Sequence, residues 1–241
     1  MRRKLYYHFS IVIIAGLCIL GCSPKKSRDV ATSQAEGETI QEAEVEAEGA
    51  SKSEKKNDPL LLLVNKDTPL PKDYDPDLKV LNSGNKSVAE VIYNDLRDML
   101  TAGNAQGLSF CIASGYRSAE RQQEILDQDI RKLTAKGMDY DTAYQNVTRT
   151  VMPAGYSEHE TGLAVDITAL SNQMLDETQV DTPENRWLRE NCSKYGFILR
   201  YPEGKEEITK IDYEPWHFRY VGKEAAREIT EKQITLEEYL K

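Results

Sequence analysis

The residues able to build a core are confined to positions 59–241 of this 241-residue chain. Between Ser23 and Asp58 there is no aromatic residue, and Glu36, Glu38, Glu42, Glu44, Glu46 and Glu48 alternate with mostly small residues. Such a segment buries too little apolar surface to offset the entropy of ordering its backbone. It reads as a solvated acidic linker over residues 22–58, on the order of 35 Å end to end as a coil and roughly 120 Å stretched. One folded domain, residues 59–241, is left.

Ahead of the linker, Arg2, Arg3 and Lys4 precede an apolar run from Ile11 to Leu20, which ends in Ile19-Leu20-Gly21-Cys22. The run is shorter than the roughly 20 residues a membrane-spanning helix needs. It resembles the lipobox of a bacterial lipoprotein signal. Residues 1–21 are then a cleaved signal peptide and Cys22 the lipidation site, each buried acyl methylene adding about 0.8 kcal/mol of membrane affinity. The expected location is the extracellular face of the bacterial cytoplasmic membrane; a plain secretory signal is the alternative. The formal net charge of −9 argues against nucleic acid as a partner, since neutralising phosphates takes clustered Lys and Arg. Of four cysteines, only Cys111 and Cys192 lie in the folded part. They are expected either to pair, as an oxidising compartment permits, or to be small buried apolar residues, which Phe110 and Ile112 favour for Cys111.

Leu60-Leu61-Leu62-Leu63-Val64 suits a short buried strand running into an extended Pro-rich segment. Ser87 with Glu90 makes a capping box for a helix whose face carries Val88, Val91, Ile92, Leu96, Met99 and Leu100, closed by Gly103. Leu108, Phe110 and Ile112 alternate as a strand, followed by a helix carrying Ile125, Leu126, Ile130 and Leu133. Leu163, Val165 and Ile167 alternate with Ala164, Asp166 and Thr168, a strand presenting Asp166 on the face opposite its apolar residues. Thr182-Pro183 starts a helix with Trp187 and Leu188 inside and Gly196 at its end. Phe197–Tyr201 and Trp216–Val221 are two further strands. The order predicts an α+β fold with a mainly antiparallel sheet and flanking helices.

His8 leaves with the signal, so the folded part holds two of the chain's three histidines, His159 and His217, each beside acidic residues. A catalytic zinc site takes three protein ligands and keeps one open position, and two imidazoles with one carboxylate are an established set. His159, Asp166 and His217 supply it. A zincin helix is excluded, because the position four residues after His159 is Leu163 and Gly162 interrupts the helix. Glu214 lies three residues before His217, so in a flat strand the two would face opposite sides. Pro215 makes a turn or bulge that brings both into one cavity, with Glu214 as general base.

Ser114-Gly115-Tyr116-Arg117-Ser118, Ser157-x-His159-x-x-Gly162-x-Ala164-x-Asp166 and Glu214-x-Trp216-His217, in that order, resemble the motifs of the VanY-type D-alanyl-D-alanine carboxypeptidases. The likeness runs from about Leu60 to Gly222, and the chain also resembles the LdcB-type L,D-carboxypeptidases. The resemblance implies a hedgehog/DD-peptidase-like zinc peptidase fold with one zinc ion per chain, held by His159, Asp166 and His217. It also implies Glu214 as catalytic base and Arg117 in contact with substrate, at either its terminal carboxylate or the developing oxyanion. Gln122 matches a glutamine that addresses the peptide's polar end, Ser157 adds a hydrogen bond beside the metal, and Ser114 and Tyr116 shape the pocket. Ala119 is a departure, since many relatives carry an aromatic residue there. Tyr156, Tyr201, Tyr213 and Tyr220 are candidates to pack against muropeptide, or are core.

The expected activity is release of the C-terminal D-alanine from peptidoglycan stem peptides by a monomer. The L,D form on tetrapeptides is favoured over the D,D form on pentapeptides by the overall likeness to the LdcB-type group, which includes the lead-in Asn65-Lys66-x-x-Pro69-Leu70-Pro71. A catalytically inert zinc-containing wall-binding module and a peptidoglycan endopeptidase are the competing classes.

Overall fold

The computed structural model describes residues 57–81 and 85–241. The expected signal peptide, Cys22 and the linker up to residue 56 lie outside the described residues. Among those described, no helix is long and apolar enough to cross a membrane.

The centre is a four-stranded antiparallel sheet. A small hairpin of β1 (Leu78–Val80) and β2 (Ser87–Ala89) precedes it, and helix α1 (Glu90–Asn104) follows the hairpin directly. The chain then forms β3 (Phe110–Ser114), α2 (Ala119–Thr134), α3 (Tyr140–Val147), β4 (Ala164–Ala169), α4 (Pro183–Asn191) and β5 (Phe197–Leu199). Next come a single turn α5 (Glu206–Thr209), β6 (His217–Tyr220), α6 (Lys223–Lys232) and a short α7 (Leu236–Tyr239). Spatial order in the sheet is β3-β4-β6-β5, which places β4 and β6 at the centre.

The period-two alternation of these strands separates two chemistries. Val165, Ile167, Phe197, Phe218 and Tyr220 share one face and pack with Ile92, Leu96 and Met99 of α1 and with Trp187 and Leu188 of α4. Asp166, His217, Arg219 and Ile198 fall on the other face, because β4 pairs Asp166 with His217 and Ala164 with Arg219. On the outer side, Ile112 pairs with Ile167 but Ser114 pairs with Asp166. The extra residue Ala113 is a β-bulge that turns Ser114 onto the polar face. Ser114, Asp166 and His217 thereby form one row across three strands.

Satellite clusters support the two flanks. Leu126, Ile130, Ala143 and Val147 join α2 to α3, while Leu61, Ile198, Val221, Ala226, Ile229 and Leu236 lie under α6 and α7. Ser118 caps α2 by accepting from Arg121 N, and Thr182 caps α4 by accepting from Asn185 N.

Several sequence expectations are corrected. Leu60–Val64 is not a strand: a 3-10 turn spans Pro59–Leu61, and the carbonyls of Leu60 and Leu62 are taken by the Arg219 side chain. Ser87 does not cap α1, since it belongs to β2; α1 begins at Glu90 after Ala89, with no side-chain cap. Tertiary pairing with β1 overrides the local capping pattern there. Val91 is 57% exposed and lies off the core face. Cys111 and Cys192 are both free thiols; Cys192 is buried as expected, whereas Cys111 is only partly buried.

Candidate metal centre

Two turns and one strand bring the ligand set together. Ser157 accepts from His159 N and starts a 3-10 turn over Glu158–Thr161, which ends at Gly162 in the left-handed region (φ 70°). That conformation strains any residue with a Cβ, and a Cβ at Gly162 would also lie 2.8 Å from Ala89 N. Gly162 so reverses the chain that β4 leaves directly beneath His159, with Asp166 pointing back at it. His217 opens β6 opposite Asp166.

The geometry is that of a cation site. His159 Nε2 lies 3.2 Å from Asp166 Oδ2, His217 Nδ1 lies 3.2 Å from Asp166 Oδ1, and one donor atom from each residue falls within 4.8 Å of the others. Tetrahedral zinc with bonds of about 2.0–2.1 Å separates its ligand atoms by roughly 3.3 Å. Oδ1 of Asp166 is buried and has no partner that meets hydrogen-bond geometry, although His217 Nδ1 is 3.2 Å away. A buried carboxylate with one orphaned oxygen, and with an imidazole nitrogen against each of its two oxygens, fits a divalent ion. The outer nitrogens are already committed: His159 Nδ1 is 2.8 Å from Gly115 O, and His217 Nε2 is 3.3 Å from Glu158 Oε2. Each ring must donate there, which leaves its other nitrogen as a lone pair facing the site.

Burial and the neighbouring charges shift the titratable groups of the site. Burial, aided by the Arg117 charge, pulls His159 below its ordinary pKa. Burial also pulls on His217, but the carboxylates of Asp166 and Glu158 more than offset it and raise this imidazole to about 9. Glu214 is pushed up to about 8, by burial first and then by Asp166, against the opposing pull of His217.

Glu214, Arg117 and Ser157 line one cavity of about 280 Å³ with the three ligands. The Glu214 carbonyl accepts from His217 N at 3.2 Å, closing a four-residue turn with Pro215 at its second position. This is the turn the sequence predicts, and it points both side chains into the cavity. Arg117 donates from Nη2 to Ser114 Oγ (2.8 Å) and Asp166 Oδ2 (2.9 Å), and from Nη1 to Gln122 Oε1 (3.2 Å). Its Nε–H and second Nη1–H have no protein partner among the described residues.

Gln122 lines the cavity, but both ends of its amide are committed: Oε1 to Arg117 and Nε2 to Met152 O at 2.6 Å. It steadies Arg117, and the second N–H of its Nε2 leaves the expected substrate contact open. Ser114 likewise acts through Arg117. Tyr116 is not part of the cavity lining, and neither is Ala119, which is exposed on the first turn of α2. Of the four tyrosines, Tyr201 lines the cavity with its ring 4.8 Å from that of His217, while Tyr220 is a core residue bonded to Asp95.

Sequence reading missed Glu158, Arg200 and Arg219, which are all buried. Glu158 Oε1 accepts from Arg200 Nε at 2.7 Å and from Arg219 Nη1 at 2.8 Å. The available signal was an arginine inside each of two apolar strand patterns, Phe197–Tyr201 and Trp216–Val221. A charge at an inward strand position requires a buried partner. Leu175, which also lines the cavity, carried no such signal.

The comparisons with known proteins agree with this arrangement. The family model described as VanY, D-alanyl-D-alanine carboxypeptidase, matches residues 85–223. A D-alanyl-D-alanine carboxypeptidase of Enterococcus faecalis is 42% identical over 185 residues, 75% of this chain and 65% of that protein. The chain therefore spans just under two thirds of that relative's length. A Zn(II) complex of the vancomycin resistance D,D-pentapeptidase VanY superposes with a TM-score of 0.69 at 41% identity, covering 76% of this chain and all of the solved one. The LdcB LD-carboxypeptidase superposes with a TM-score of 0.66 at 38% identity, covering 76% of this chain and 87% of the other. With the matched segment carrying all three motifs into a single cavity, the chain belongs to the VanY D-alanyl-D-alanine carboxypeptidase family.

Proposed function

We propose that this protein is a zinc carboxypeptidase that releases the C-terminal D-alanine of peptidoglycan stem peptides, acting as a monomer held by lipid on Cys22 at the extracellular face of the bacterial membrane. The observation that carries the reading is the convergence of His159, Asp166, His217 and Glu214 on one buried cavity beside an arginine with unspent donors. Zinc, when bound by the three ligands, lowers the pKa of water from about 15.7 toward 7 and polarises a carbonyl. Glu214 takes the proton of the attacking water and returns it to the departing amine, help typically worth about 10²- to 10⁴-fold. Arg117 offers a planar charged fork to the substrate's terminal carboxylate. Trp216 and Ile125 give the cavity an apolar side.

The lead-in that favours the L,D form does not line the cavity. Asn65 faces away from it, donating to Glu237 and accepting from Asp67 N and Thr68 N. The D,D form on pentapeptides is the second reading, supported by 41% identity to the D,D-pentapeptidase against 38% to LdcB. Incubating purified protein with tetrapeptide and pentapeptide muropeptides, with and without a chelator, and identifying the products by mass spectrometry decides between them. Chelator-sensitive loss of one D-alanine supports the reading. Cleavage of substrates with an amidated C-terminus points to an endopeptidase, and zinc binding with no turnover points to an inert wall-binding module.

A further inference from the structure

Arg200 and Arg219 are the two largest side chains in the structure with no solvent exposure at all. Full burial of a guanidinium is tolerated only where its charge and donors are matched. For Arg200 the matching groups form a path that leads out of the metal centre. His217 Nε2 faces Glu158 Oε2 at 3.3 Å, and Glu158 Oε1 accepts from Arg200 Nε at 2.7 Å. The two terminal nitrogens of Arg200 then donate in parallel to both oxygens of Glu237, at 2.8 and 2.7 Å. Glu237 sits on α7, which is fixed by a reciprocal capping box between Thr235 and Glu238. Glu237 also accepts from Asn65 Nδ2 at 3.2 Å.

The arithmetic of charge gives this path a function. Glu158 is shared by two guanidinium groups, and Glu237 neutralises Arg200 from its far side. Without the Glu237 charge, the whole field of Arg200 falls on Glu158. Its carboxylate becomes a poorer acceptor for the His217 Nε2–H, and the Nδ1 lone pair a weaker metal donor. The Arg200 fork also loses the bidentate contact that fixes its plane.

We propose that Glu237 is a positioning residue for the metal centre, setting through Arg200 and Glu158 the orientation and donor strength of His217. The inference rests on the reading of His159, Asp166 and His217 as a zinc site and not on the identity of the substrate.

The test measures zinc affinity by competition with a chromophoric chelator, together with the visible spectrum of the cobalt-substituted protein. Glu158→Gln is expected to weaken zinc roughly 10- to 100-fold and Glu237→Gln about 3- to 10-fold, with cobalt bands shifted in the same direction. Because Glu237 acts through Glu158, the double variant loses no more than Glu158→Gln alone. Lys205→Met, which removes the 3.1 Å ion pair to Glu238 on the same helix, retains wild-type affinity. Wild-type zinc and cobalt binding by Glu237→Gln, or a loss that adds in full to that of Glu158→Gln, overturns the proposal. If Glu237→Gln does not fold, Arg200→Lys, which keeps the charge and breaks the fork, is read in the same way. Zinc binding without turnover in the wild type sinks the proposed activity alone; absence of zinc binding sinks both.

Discussion

Oε2 of Glu214 lies 3.6 Å from Nδ1 of His217, although the two stand at an odd offset of three positions at the start of a strand. The turn closed by His217 N and Glu214 O is what brings them to one side. The ring nitrogen facing Glu214 is also the one left free to bind a metal, so the base stands next to the position from which water would be delivered.

Glu214→Gln removes the proton acceptor and keeps the shape. Zinc content is expected to stay at one ion per chain while kcat falls by about 10² or more. Metal analysis alongside turnover checks it, and unchanged turnover would take Glu214 out of the mechanism.

Zinc uptake is coupled to pH. The metal-free protein holds a proton on His217, raised to about 9, and zinc must displace it. Below about pH 9 the affinity therefore falls as pH falls, and binding releases protons. Calorimetric titration in buffers of differing ionisation enthalpy measures that number; a value of zero contradicts the assignment of the apo-site proton.

The buried ion cluster gives a stability prediction. Burial alone would raise the Glu158 pKa, but Arg200, Arg219 and His217 outweigh it and hold this carboxyl well below the usual range. A depressed folded-state pKa means stability that is complete above the unfolded value near 4.5 and is lost as pH falls below it. Arg219→Leu leaves Glu158 half-paired and frees the Leu60 and Leu62 carbonyls, a loss of about 3–5 kcal/mol. Urea unfolding at neutral pH and at pH 3 tests both statements.

The fold's main lines were legible because period-two and period-3.6 apolar patterns survive in β3, β4, β5, β6, α1, α2 and α4. The candidate ligand set, which the structure brings together, was legible because so few histidines remain in the folded part. What escaped were features that exist only once distant segments meet. The Ala113 bulge depends on the β3–β4 register. Ser87 reads locally as a cap, yet its carbonyl is taken by Tyr116 N and its strand by β1. The bond of the Gln122 amide to Met152 O likewise joins residues far from one another in sequence.

Gly162→Ala tests whether the turn between His159 and Asp166 is as tightly fixed as its geometry implies. The left-handed backbone costs a residue with a Cβ about 1–2 kcal/mol. The Ala89 N–H, which donates to Gly162 O at 2.9 Å, would have to move away from the new methyl group. The expected outcome is a lower Tm together with weaker zinc binding, since the ligand spacing is set by this turn. A Tm shift with unaltered zinc affinity would show that the two ligands are held independently of it.

Arg117 separates an exopeptidase from an endopeptidase. Its bonds to Ser114, Gln122 and Asp166 fix the plane of the guanidinium, with two N–H groups left over. If these bind the terminal carboxylate, Arg117→Lys loses a charge-assisted contact worth about 1.5–3 kcal/mol, roughly 10- to 100-fold in kcat/KM on free-acid peptides. The same change has little effect on amidated peptides, which never offered the carboxylate. If they stabilise the developing oxyanion instead, kcat falls by the same factor on both substrates, because the interaction is made only in the transition state. Comparing free-acid and amidated peptides in wild type and Arg117→Lys therefore distinguishes the two roles: a ratio that collapses toward one assigns Arg117 to the carboxylate, and a ratio that holds while both rates drop assigns it to the oxyanion.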